Sequence, residues 1–114
     1  MAKQLTINDP GTGMTYTLEY TRKSVETMEK QGFVASEVQN KPMTMIPMLF
    51  AGAFLAHHRF VKRDVIDGIY AKMNHKDELI PLLVEMYNEP LLALLDDSQQ
   101  NDEEAGNLSW KVVG

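Results

Sequence analysis

The residues of this 114-residue chain best suited to chemistry are His57, His58 and His75, together with the acidic pairs Asp64/Asp67 and Asp77/Glu78. Neutral imidazole binds zinc or nickel, and histidine titrates near neutral pH, so a metal or acid–base site would have to begin there. Adjacent side chains on a helix diverge by about 100°, which prevents His57 and His58 from easily chelating one ion. His75 has no carboxylate at a recognised ligand spacing. A histidine pair closing a helix is instead favoured by the helix dipole. Each carboxylate pair lies among Lys and Arg on what reads as a solvated helix face. The chain also lacks cysteine, a glycine-rich phosphate loop and a Ser-His-Asp set. No catalytic, cofactor or metal residue is expected, and the chain reads as a binding protein rather than an enzyme.

The elements around these residues belong to one domain, because 114 residues support one core but not two. Absence of cysteine fits a reducing cytoplasm. The opening MAKQLTINDPG has no apolar signal core, so export by the usual route is not expected. The longest apolar run, Met45 to Ala56, falls short of the roughly 20 residues that span a bilayer. Net charge is uneven: residues 1–95 carry −1 and residues 96–114 carry −4. A near-neutral body without a basic stripe argues against nucleic acid, whose phosphates are held by clustered Lys and Arg.

The pattern predicts an α+β fold, an N-terminal β-hairpin packed on a bundle of about four helices. Leu5 and Ile7 alternate with polar residues, Asp9-Pro10-Gly11-Thr12-Gly13 supplies a turn, and Tyr16, Leu18 and Tyr20 alternate again. Thr21 is a cap for a short helix burying Val25 and Met28, with Gly32 as its stop and Phe33 packing back. Residues 34–42 read as a polar connection, either loop or a single helical turn. Thr44 is expected to cap a long apolar helix with Pro47 in its first turn, ending near His58. Its Ala51-Gly52-Ala53 face would admit a neighbouring backbone. A helix from Val61 or Arg63 to Met73 carries Val65, Ile66, Ile69, Tyr70 and Met73 at helical spacing. A last helix starts at Asp77, is broken or kinked by Pro90, and runs on to Leu95. The domain is thus residues 1–95, followed by an acidic linker at 96–107 and a strand or docking segment at 108–114. In that segment Leu108, Trp110 and Val112 alternate, which suits either a third strand on the hairpin edge or a recognition strand for a partner.

Met43, Met45 and Met48 fall within six residues. Methionine is flexible enough to fill a core or to serve a surface that accepts several partners, and the composition leaves both open. The partner-binding candidates are Met45, Met48, Leu49, Phe50 and Phe54, with Trp110 in the tail.

The order of elements resembles the tail assembly chaperones of long-tailed bacteriophages. Two motifs carry the likeness, over about residues 5–90. One is Leu-x-Tyr followed, after eight residues, by Glu-x-x-Gly, here Leu18-Glu19-Tyr20 through Glu29-Lys30-Gln31-Gly32. The other is a helix ending in Leu-x-x-His with a basic-acidic step into the next helix, here Phe54 through Ile66. The resemblance implies a protein without catalytic residues, working in the bacterial host cytoplasm. Its partners would be the tape measure protein and the tail tube protein, with self-association as a further expectation. A structural phage protein, such as a head–tail connector or minor tail component, and a cytoplasmic adaptor unconnected with phage are the competing classes. The acidic linker ending in Trp110 has no counterpart in the family motifs.

Overall fold

The computed structural model describes residues 3–95 and Lys111. Strand β1 (Leu5–Asp9) pairs antiparallel with β2 (Met14–Leu18), Ile7 standing opposite Tyr16. The turn closes through the Gly13 N–H, which donates to the Asp9 carbonyl at 2.8 Å, and Gly13 takes φ +72°, a conformation that costs glycine nothing. The alternation delivers Ile7, Tyr16, Leu18 and Tyr20 to one buried face.

Helix α1 (Arg22–Lys30) is capped by Thr21. Its hydroxyl accepts from the Ser24 N–H at 3.1 Å, while the Ser24 hydroxyl accepts from the Thr21 N–H at 2.8 Å. Two otherwise orphaned donors are satisfied reciprocally. Gly32, at φ +98°, ends the element, and Phe33 turns back into the core. One 3-10 turn, Ala35–Glu37, occupies the connection that follows.

The apolar helix differs from the sequence expectation at both ends. Helix α2 (Pro42–Gly52) starts before Thr44, with Pro42 in the first turn, where a missing N–H is harmless. Pro47 therefore lies inside the helix and leaves the Met43 carbonyl without its i+4 donor. The helix ends at Gly52 and not near His58. The ladder breaks at Ala53, whose N–H donates to the Phe50 carbonyl at 3.1 Å in place of the Leu49 carbonyl four residues back, which accepts the Tyr20 hydroxyl; the Ala53 carbonyl in turn accepts the Glu19 N–H at 3.0 Å. Leu55–His58 forms a separate short helix, α3. A neighbouring backbone does approach here, at Ala53, whereas Gly52 accommodates the Met28 side chain, which a Cβ would overlap.

Helix α4 (Arg63–Lys72) buries Ile66 and Ile69 and leaves Val65 exposed. Helix α5 (Lys76–Leu95) is continuous through both Pro81 and Pro90. Leu79, Leu83, Met86 and Tyr87 hold it on the core, so tertiary burial outweighs the two hydrogen bonds the prolines forfeit. Lys3 clasps β1 to this helix: its ammonium pairs with Glu85 and its N–H donates to Glu89 at 2.8 Å. The hydrogen bond and charge of Glu85 raise the Lys3 pKa.

One core unites the hairpin and the helices. Tyr16, Phe54 and Phe50 stack in series with ring centroids 5.6 and 5.3 Å apart, and Tyr87 sits between Tyr20 and Phe33 at 5.6 and 5.2 Å. The α+β architecture is as expected from the pattern. The linker at 96–107 lies outside the described residues, as does the segment 108–114 apart from Lys111, which is exposed and in no strand.

Candidate protein-binding surface

Helix α2 is apolar on every side, yet its two faces do different work. Met45, Leu49, Gly52 and Ala53 share a stripe turned into the core, Phe50 extending it, while Met43, Thr44, Pro47 and Met48 share the opposite stripe. The second stripe lines an open groove of about 650 Å³, closed on one side by Gln31 from the end of α1 and on the other by Arg63 and Asp67 of α4. Met43 is 90% exposed there, and Pro47 and Met48 are half-buried.

Of the described residues expected to bind a partner, only Met48 lines this groove. Met45 (8% exposed), Leu49, Phe50 and Phe54 are core side chains. As folded, these four offer no surface to a partner, a correction that follows from what covers them: α1, α4 and α5 pack on α2, and β2 packs on α3 beside Phe54. Tyr16 packs on Phe54, and the Tyr20 hydroxyl donates to the Leu49 carbonyl at 2.5 Å. Trp110 lies outside the described residues. The residues missed by sequence reasoning are Met43 and Pro47. The helical period puts Met43 and Pro47, four apart, on the face away from Met45 and Leu49, but in a helix apolar on all sides it does not mark which face is the outer one.

Phe60 is a second exposed apolar group, 86% accessible, in the α3–α4 connection. The Arg59 guanidinium lies 4.9 Å from its ring centroid, a cation–π contact at an exposed site. Val38 to Arg63 holds four cations, Lys41, Arg59, Lys62 and Arg63, and no carboxylate. Arg63 pairs with Asp67 at 3.1 Å; among the described residues Lys41, Arg59 and Lys62 have no ion pair.

The histidines serve structure. His58 Nε2 accepts the Thr17 N–H at 2.9 Å, on the outer edge of β2, and His57 Nε2 lies 2.7 Å from Glu19 Oε1. The pair thus divides, one residue holding a strand edge and the other an acid. His75 occupies the turn into α5 at φ 51°, its carbonyl accepting from Glu78 and Leu79. Asp64 bonds its neighbour's N–H and Asp67 pairs with Arg63. Among the described residues no three His, Asp or Glu side chains are grouped to hold a metal ion, and no helix is long and apolar enough to cross a membrane.

A family profile described as Domain of unknown function (DUF5055) matches residues 1–113. No curated protein and no solved structure matches the chain.

Proposed function

Since the chain belongs to the DUF5055 family, whose description names no activity, we propose a function from its own surface: it is a bacteriophage tail assembly chaperone. It covers apolar helical segments of the tape measure protein in the host cytoplasm until tail tube protein polymerises around them. The observation that carries this reading is the divided α2 helix. One apolar stripe builds the core, and the other is left to solvent in an open groove whose rim is Gln31, Arg63 and Asp67. The likeness of the Leu18–Gly32 and Phe54–Ile66 motifs to those chaperones supports the choice of partner.

The mechanism is reversible burial. Phe60 and the Met43–Met48 stripe are adaptable apolar groups, and methionine repacks around partners of different shape. Fully covering a phenylalanine side chain contributes about 2–3 kcal/mol before the entropy of association is subtracted. A few such contacts hold an aggregation-prone helix and still release it to a polymerising competitor by mass action.

Co-expression with the tape measure and tail tube proteins tests the proposal. The tape measure protein should stay soluble and co-elute with this chain, the purified tails should lack the chain, and Met43→Asp with Met48→Asp should abolish co-elution while leaving the circular dichroism unchanged. Co-elution that survives the double substitution rules out the groove as the binding site. A second reading, a permanent tail component, draws on Leu92, Leu94 and Leu95, which are exposed at the end of α5. Fixed stoichiometry in finished particles would establish it instead.

A further inference from the structure

We propose that the turn joining α3 to α4, residues 59–65, is a docking point separate from the α2 groove, and that it takes an acidic amphipathic segment of a partner protein. The segment's carboxylates meet Arg59 and Lys62, and its apolar face covers Phe60 and Val65. The inference goes beyond the chaperone reading and does not depend on it.

The backbone gathers these residues. The Val61 N–H donates to the His58 carbonyl at 3.0 Å, closing a tight turn with Arg59 and Phe60 at its apex. The Val65 N–H donates to the Lys62 carbonyl at 3.1 Å, which keeps Val65 within one turn of Lys62. Phe60 is 86% exposed and Val65 45%, so two large apolar groups bracket the basic run. The Arg59 guanidinium lies over the Phe60 ring, 4.9 Å from its centroid. A single apolar residue on a surface is ordinary. Aromatic and arginine side chains together are what the centres of protein interfaces are enriched in. The turn is also fixed from beneath: the His58 ring meets Tyr16 edge-on at 5.3 Å, and its Nε2 accepts the Thr17 N–H at 2.9 Å. Docking there orders little backbone, which lowers one cost of association.

Charge selects the partner. No carboxylate occurs from Val38 to Arg63, although the whole chain carries −5. The two acids that follow are engaged, Asp67 with Arg63 at 3.1 Å and Asp64 with the Val65 N–H at 2.9 Å. Arg59 and Lys62 have no ion pair among the described residues. A carboxylate brought to Arg59 forms charge-assisted hydrogen bonds, which are stronger than neutral ones. An anionic membrane fits less well, because lipid headgroups are gripped by clusters of about four to eight cations. Nucleic acid is disfavoured for the same reason, since its affinity grows with the number of phosphates neutralised.

Amide chemical shifts of the isotope-labelled full-length protein test the proposal, with a synthetic helix bearing leucine on one face and glutamate on the other as probe. Saturable shifts should centre on residues 59–65, fade with added salt, and be absent when lysine replaces glutamate in the peptide. Arg59→Glu with Lys62→Glu, and separately Phe60→Ser, should each weaken binding about ten-fold or more. All three side chains are exposed, so the variants should keep the native spectrum elsewhere. Met43→Asp with Met48→Asp should leave the peptide affinity unchanged. The proposal is overturned by an absence of saturable shifts, by equal binding of the lysine peptide, by binding that survives the substitutions, or by shifts centred on Met43–Met48. Capture by phosphatidylserine vesicles in place of the peptide overturns it as well. If tape measure protein co-elutes through the groove while the acidic peptide does not bind, this proposal fails and the chaperone reading stands. The reverse pattern removes the chaperone reading alone.

Discussion

Tyr20 shows how much one side chain settles. Its ring is in the core between β2 and α5, its hydroxyl donates to the Leu49 carbonyl, and burial, reinforced by the neighbouring Tyr87, pushes its pKa far up. The unfolded chain ionises the phenol near pH ~10. The stability this group contributes is therefore complete below that pH and is lost as pH rises above it, since only the unfolded state gives up the proton. Alkaline titration followed by absorbance and circular dichroism should show part of the tyrosinate signal appearing together with unfolding. Tyr20→Phe should remove that part of the pH dependence and cost about 1 kcal/mol at neutral pH for the lost hydrogen bond. His58 makes a comparable point. Once His58→Ala removes the acceptor for the Thr17 N–H, denaturant melts should read a loss of about 1–2 kcal/mol, and the Thr17 amide should exchange faster.

Among the elements, the α1–α2 contact depends on a residue with no side chain. A Cβ at Gly52 would overlap Met28, so Gly52→Ala gains helix propensity but overpacks the core. Denaturant melts should register a net loss of about 1–3 kcal/mol. Met28→Ala, which opens space at the same point, should make the second substitution much less costly, and a double-mutant cycle measures that coupling. The sequence supplied the Ala-Gly-Ala signal for close approach. It could not supply the neighbour, because Met28 lies on another helix and meets Gly52 only after the chain has turned at Gly32.

The whole molecule decides which apolar residues are spare. With β2 laid over α3, and α1, α4 and α5 packed on α2, Phe54 is 1% exposed and Met43 is 90% exposed, although both belong to one apolar stretch. Phe54→Ala should cost about 3–5 kcal/mol, a large part of the ~5–15 kcal/mol that holds such a domain together. Thermal unfolding should fall accordingly, whereas Met43→Ala should stay within about 0.5 kcal/mol. A chain that bears an apolar side chain in solvent without using it for stability has that surface free for contacts with other protein.

Local pattern alone determined the hairpin, the Thr21 cap, the Gly32 stop and the inward Val25 and Met28 of α1, because period-2 and period-3.6 alternation are properties of neighbouring residues. The α+β class follows from their order. Tertiary structure decided where α2 stops, since the Leu49 carbonyl accepts the hydroxyl of Tyr20, distant in sequence, and the Ala53 N–H turns to Phe50 instead. It kept α5 intact through Pro90 by burying the residues before it. It also decided which methionines face solvent. A helix apolar on all sides carries no internal mark of its outer face, and only the neighbouring helices α1, α4 and α5, by covering Met45, Leu49 and Phe50, leave Met43 and Met48 outside.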